Sequence, residues 1–291
     1  MPGPSDSRPR TQREWPEMTR SVRRTRRIRR TLRVTGAGAA ALLALSACSS
    51  SSGSDSAGSS TSSSGKVSGQ VTVFAAASLE GSFTALGETF EKRHPGTEVT
   101  FNFAGSDTLA ASITSGAPAD VFASASPKTM ATVTDAGATA GRPSTFVRNQ
   151  LEIATLAGNP DGISSLKDLT EPGLKVVLCD KAVPCGAAAR KALTVGGLEL
   201  TPVSYEQDVK AALTKVELKE ADAAVVYRTD VKAAGDKVTG VDFPESADAV
   251  NDYPITLLKE APNAGAAKAF IDLVKSAEGQ RVLTGAGFRT P

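Results

Sequence analysis

The 291-residue chain contains a single histidine, three cysteines and one tryptophan, and aromatic residues make up only 5% of it. The scarcity of histidine bears on function first. A Ser–His–acid triad would have to use His94, which stands in "KRHPG" directly before a proline and reads as an exposed helix end. No G-x-S-x-G elbow is present to carry a nucleophilic serine. Cysteine and histidine never cluster at zinc spacing, and neither a Walker A loop nor a G-x-G-x-x-G fingerprint occurs. No apolar run reaches the roughly 20 residues needed to span a bilayer. These absences argue against a hydrolase, a metalloenzyme and a nucleotide-binding enzyme, and the chain is expected not to be an enzyme. A cell-surface serine hydrolase using His94 and a lipoprotein adhesin remain as alternatives.

What is present at the start of the chain is arginine. Residues 20–33, "RSVRRTRRIRRTLR", carry eight arginines and no acid. An Arg-rich stretch can be a nucleic-acid tail, but this one runs directly into the 14-residue apolar segment Val34–Ala47, too short to cross a bilayer and suited to a signal-peptide core. The segment ends in "LSAC" (45–48), which resembles the lipobox of bacterial lipoproteins. That resemblance implies cleavage before Cys48, acylation of its thiol, and residence on the outer face of the cytoplasmic membrane. One acyl chain anchors weakly, and the resemblance implies several. Residues 1–48 are therefore expected to be a signal peptide with lipobox, and no nucleic-acid partner is expected. Residues 49–65, "SSSSGSDSAGSSTSSSG", cannot build a core and read as a flexible tether with a root-mean-square reach of about 23 Å. Removing 1–47 takes away 11 basic and 3 acidic residues, leaving 22 basic and 28 acidic, so the formal charge changes from +2 to −6. Any anion held by the mature chain is held by local groups, against the overall field.

Beyond residue 65, apolar strand-like runs alternate with amphipathic helical patterns. Strands are expected at 70–75, 97–103, 119–124, 150–157, 174–179, 222–227, 237–242 and 253–258. Helices are expected at 78–93, 107–115, 186–195, 206–219 and 264–276. This alternation predicts parallel sheet with helices on both faces. In such sheets ligands collect beyond the carboxyl ends of strands, where the next helices begin. Ser78, in "VTVFAAASLEGSF" (71–83), stands at such a junction, and so does Ser106 in "FNFAGSDTLAASI" (101–113). Two more helix starts lie at "AVPCGAAARKAL" (182–193) and near Val209 in "SYEQDVKAAL" (204–213). A lone serine there is most simply a helix cap. Several such starts converging would instead supply unpaired N–H donors and helix-dipole ends for a tetrahedral anion. No Lys or Arg lies within two residues of Ser78 or Ser106, so selection would rest on donor geometry rather than on charge.

The segments "VFAAASL" (73–79), "GSDTLAASITSGAPADVFASA" (105–125), "VPCG" (183–186), "EQDVKAAL" (206–213) and "AVVY" (224–227), in this order, resemble the molybdate-binding proteins of ABC importers. The resemblance extends over 70–291, and "GAPADVFAS" is its most specific part. It implies an α/β, two-lobe, periplasmic-binding-protein-like (type II) fold with two hinge crossings and a central ligand cleft. Lobe I would comprise 66–149 plus 250–291, and lobe II 150–249. It further implies that the oxyanion is held by the hydroxyls of Ser78, Ser106 and Tyr227 and by the backbone N–H groups of Cys185 and Val209. The ligand would be molybdate or tungstate, with molybdenum present only as that oxyanion, no cofactor and no separate metal site. The partners would be the importer's membrane subunits, and the protein a monomer. The same fold binding another oxyanion, such as sulfate, is the nearest alternative.

Two departures from the family pattern carry expectations of their own. The V-P-x-G turn has Cys185 where alanine is common, which leaves the backbone donor in place. Asp107 follows Ser106 directly and would repel an anion if it faced inward, so it is expected to face out and cap a helix starting at Thr108. With Cys48 assigned to the anchor, Cys179 and Cys185 remain, and in an exported chain they are expected to form a disulfide. Two reduced, buried cysteines are the alternative. A bridge closing so short a loop contributes roughly 2 kcal/mol and would pre-organise the N–H at Cys185.

Overall fold

The computed structural model describes residues 67–291. The leader 1–48 with its acylation site Cys48, and the tether 49–65, lie outside the described residues. Within these residues the chain builds two five-stranded sheets. The first strand, β1 (Gly69–Ala76), buries both faces from Val73 onward, and β2 (Thr97–Ala104) pairs with it in parallel along its whole length. β3 (Val121–Ala123) lies on its other side, also parallel. β4 (Ser144–Asn149) and β10 (Asn251–Leu257) complete the sheet, in the order β2-β1-β3-β10-β4. The second sheet contains β5 (Leu151–Leu156), β6 (Val176–Cys179), β7 (Ser204–Glu206), β8 (Ala223–Tyr227) and β9 (Val238–Val241), in the order β7-β6-β8-β5-β9.

Both sheets are mixed, which corrects the expectation of purely parallel pairing. β10 runs antiparallel to β3 and β4, and β5 runs antiparallel to β8 and β9. The cause is the chain path. A single residue, Gln150, separates β4 in one sheet from β5 in the other, and the chain returns at Val250–Asn251. A strand that enters a sheet by such a crossing takes its direction from the crossing and not from a βαβ turn. At the crossings the two strands face each other, with Asn149 paired to Asn251.

Among the described residues, eight α-helices pack on these sheets. α1 (Glu80–Arg93) follows a single 3-10 turn at Ala77–Leu79, and its Phe83, Leu86 and Phe90 enter the first core beside Phe270 of α7 (Ala264–Lys275). α2 (Ser106–Thr114) and α3 (Pro127–Asp135) flank the first sheet with Leu109, Ile113, Met130 and Val133. α4 (Pro184–Val195), α5 (Val209–Glu217) and α6 (Arg228–Ala234) serve the second sheet, and α8 (Ala277–Gly285) closes the chain. The "GAPAD" aspartate is structural. The Asp120 carboxylate is buried and accepts N–H bonds from Thr72 at 2.8 Å and Asn263 at 2.7 Å, tying β1 to the start of α7. His94 is not an exposed helix end: it terminates α1, half-buried, with its ring 4.6 Å from that of Phe90. Among the described residues, no helix is long and apolar enough to cross a membrane.

Candidate anion-binding site

The carboxyl ends of β1 and β2 and the starts of α4 and α5 converge on one cavity between the sheets. Ser78, Ser106, Cys185, Val209 and Tyr227 all line it, together with small or backbone-presenting neighbours such as Ala77, Gly105 and Pro184. The sequence placed these five residues at ends of elements up to 149 positions apart, and the fold brings all five together. The cavity is small: about 10 Å³ is open to the centre of a water-sized sphere, close to the least that holds one small polar species. The two halves are closed on each other around it. Ala77, from the first half, is packed into the hydrophobic core of the second.

Each donor is presented by local structure. Ser78 sits in the 3-10 turn that ends β1, preceded by three alanines that keep the approach open. Ser106 is the first residue of α2. In α4 the first intrahelical backbone bond is made by the N–H of Ala187 to Val183, so the N–H groups of Cys185 and Gly186 in the first turn have no helical acceptor. Val209 opens α5 under its N-cap Asp208, whose carboxylate accepts from the N–H of Ala211 at 2.9 Å. Asp208 is also the only charged side chain on the cavity wall; no Lys, Arg or His lines it. Among the described residues, no cluster of three or more His, Cys, Asp or Glu could hold a metal ion.

The disulfide Cys179–Cys185 joins the end of β6 to the first turn of α4, with the Cα atoms 5.8 Å apart. Asp107 departs from expectation. The helix begins two residues earlier than expected, at Ser106 with Gly105 as N-cap, so Asp107 lies within the first turn and makes no cap hydrogen bond. Its carboxylate does not line the cavity, and Oδ1 is buried with no hydrogen-bond partner. It serves the helix through the dipole, as an acid in the first turn.

Behind the lining lies a buried polar layer that the sequence did not reveal. Tyr253, fully buried in β10, places its hydroxyl 2.9 Å from Ser78 Oγ. Asn149 donates to Thr229 Oγ1 at 2.9 Å and to Tyr253 Oη at 3.4 Å. Asn251 donates to the carbonyl of Ala125 at 2.8 Å and to Tyr227 Oη at 2.9 Å. The N–H of Ala125 in turn donates to Ser106 Oγ at 3.0 Å. Burial pushes the hydroxyls of both Tyr227 and Tyr253 well above the ordinary phenol value, so both keep their protons. Asp230, fully buried in the first turn of α6, accepts from the N–H of Tyr227 at 3.1 Å and lies 3.4 Å from Lys210 Nζ. Burial raises its carboxyl to about 6, against the opposing pull of Lys210.

A family profile described as bacterial extracellular solute-binding protein matches residues 71–289. The chain is 47% identical over 221 residues to the molybdate-binding protein ModA of Mycobacterium tuberculosis, covering 76% of this chain and 85% of that protein. It is 34% identical over 231 residues to ModA of Escherichia coli, covering 76% and 89%. Among solved structures, the periplasmic molybdate-binding protein of Azotobacter vinelandii matches with a TM-score of 0.66 at 22% identity, over 76% of this chain and 99% of that one. The sulfate-binding protein SubI of M. tuberculosis matches with a TM-score of 0.67 at 20% identity, over 76% and 86%. At such identities these two likenesses establish the fold alone.

Proposed function

Because the chain belongs to the bacterial extracellular solute-binding protein family, we propose that it captures molybdate, and tungstate with it, in the closed cavity and hands the anion to an ABC importer. The observation that carries this reading is the convergence of three hydroxyls and two helix-start N–H groups on a cavity with no cationic side chain. A dianion there is balanced by dipoles and neutral donors. In this reading the anion is bound and released unchanged.

The lobes in this reading are 66–149 with 250–291, and 150–249, hinged at the two crossings near Gln150 and Val250. Ser78 and Ser106 come from one lobe; Cys185, Val209 and Tyr227 come from the other. An anion bridging both favours the closed state, which the importer's membrane subunits recognise. Acylation at Cys48 holds the monomer at the outer face of the cytoplasmic membrane, and the 49–65 tether gives the domain its reach.

Thermal unfolding of the chain from residue 49 onward, with molybdate, tungstate, sulfate and phosphate in turn, tests this. The only tryptophan is Trp15, so calorimetry is the suitable readout. A ligand at a thousand times its dissociation constant adds about 4 kcal/mol, on the order of 10 °C for a domain of this size. Molybdate and tungstate are expected to give that shift and phosphate none. A shift with sulfate alone would replace the ligand, and no shift with any of the four would overturn the reading.

A further inference from the structure

A second cavity, of about 170 Å³, lies between the two halves where the chain returns from one sheet to the other at Val250–Asn251. It adjoins the anion cavity and shares Pro184 with it as a wall. Its charge runs against that of the chain, which from Cys48 onward holds 22 basic and 28 acidic residues. No acid lines this cavity, and two lysines do. Lys128 comes from α3 of the first half and Lys191 from α4 of the second. Both side chains are exposed, and among the described residues neither ammonium has a carboxylate partner. The start of α3 adds to the positive character on the Lys128 side. Its N-cap Ser126 accepts from the N–H of Thr129 at 3.1 Å, Pro127 has no N–H, and the N–H of Lys128 in the first turn has no acceptor within the helix. Much of the remaining wall is apolar, with Pro184, Ala187, Ala188 and Val250. Two cations on opposite halves beside an apolar wall match an anion with two charged ends and a short aliphatic middle, not a single-centred oxyanion.

We propose that this cavity is a second ligand site, taking a short aliphatic dicarboxylate with one carboxylate on Lys128 and the other on Lys191. In the closed arrangement the two ammoniums share one cavity, and like charges brought together disfavour closure. A dicarboxylate replaces that repulsion with an ion pair to each half. Its occupancy therefore favours the closed state and, by linkage, tightens molybdate in the neighbouring cavity. This coupling rests on the oxyanion reading; the second site itself does not. Ion pairs of exposed lysines are weak and screened by salt, so binding is expected at millimolar concentration and low ionic strength.

Succinate is the probe, with acetate at matched ionic strength as the control for screening, on the chain from residue 49 onward, within which all described strand pairing and cores lie. In amide NMR spectra of the molybdate-saturated protein, millimolar succinate is expected to shift the N–H signals of Lys128, Ala187 and Ala188, and acetate to leave them in place. Lys128→Ala and Lys191→Ala alter exposed side chains and are expected to abolish those shifts. Calorimetric titration with molybdate reads the coupling: excess succinate should tighten binding about fivefold in the wild type and by less than about twofold in either variant. Shifts that are absent, or that persist when both lysines are replaced, overturn the site. Succinate that weakens molybdate binding occupies the first cavity instead and overturns it as well. Shifts confined to the second cavity without tightening overturn the coupling alone. Absence of molybdate binding in the wild type overturns the oxyanion reading and the coupling with it, and the same succinate spectra without molybdate then decide the second site.

Discussion

Gly105→Ala is expected to leave the ligand-free protein folded and to weaken molybdate binding by about 100-fold or more. Gly105 caps α2 with φ −56° and ψ 133°, a conformation open to any L-residue, so the backbone itself does not demand glycine. The neighbour does. A Cβ at this position would lie 2.5 Å from the carbonyl oxygen of Gln207 and 2.8 Å from Asp107 Oδ1. The Asp107 side chain can swing away; the Gln207 carbonyl is backbone, two residues before Val209 in the half that carries the second sheet. The least costly relief is for the halves to part. Parting withdraws Cys185, Val209 and Tyr227 from an anion still held by Ser78 and Ser106. Each lost hydrogen bond to a charged group is worth roughly 1.5–3 kcal/mol, so even one or two account for the expected loss. Titration calorimetry measures the affinity, and small-angle scattering with and without molybdate reports closure. The wild type should contract on binding and the variant should not. An unchanged affinity in Gly105→Ala would show that the Gln207 approach plays no part in closure.

Gly186→Ala is expected to damage both stability and binding. Gly186 lies in the first turn of α4, and a Cβ there would overlap the carbonyl oxygen of Asp180 and sit 2.5 Å from that of Cys179. Both obstacles are backbone, and the Cys179–Cys185 bridge holds the same turn against the end of β6, so neither side can yield locally. Overpacking of this kind costs about 3 kcal/mol, on the order of 10 °C in unfolding temperature for a domain of this size. The helix start must retreat, and the N–H of Cys185 moves with it, so molybdate affinity should fall about tenfold or more. A variant that melts and binds like the wild type would contradict the tight seat assigned to this turn.

The glycine of "VPCG" illustrates what was legible in the sequence. The motif pointed to the turn and to the donor at Cys185, but the reason for the glycine lies in carbonyls six and seven positions earlier, which only the fold brings beneath it. Strands rich in buried β-branched and small residues, such as "VVLC" and "AAVVY", were readable because both faces are covered. β4, "STFVRN", was not, since Arg148 and Asn149 break its apolar pattern just where the chain crosses between sheets. β7 has three residues and carries no periodicity. α6 has seven, too few for a helical repeat to emerge, and α3 has nine with three threonines among them. Strand direction was misjudged for β5 and β10 because alternation of elements says nothing about a chain that changes sheet. Four of the five lining positions were legible as helix starts after strand ends, and Tyr227 only through the family resemblance. Their hydrogen-bond partners were not. Ser78 and Tyr253 are 175 residues apart, and Asn149 and Tyr253 are 104 apart, so no local pattern announces the buried polar layer behind the site.

The central claim is that one tetrahedral oxyanion sits among these five neutral donors, and tungstate offers the most direct test because tungsten scatters anomalously. Crystals of the chain from residue 49 onward grown with tungstate should give a single dominant anomalous peak in the cavity. Its oxygens are expected at about 2.7–3.1 Å from Ser78 Oγ, Ser106 Oγ, Tyr227 Oη and the backbone nitrogens of Cys185 and Val209. Tungsten found only against surface lysines or arginines, with the cavity holding none, would contradict the account.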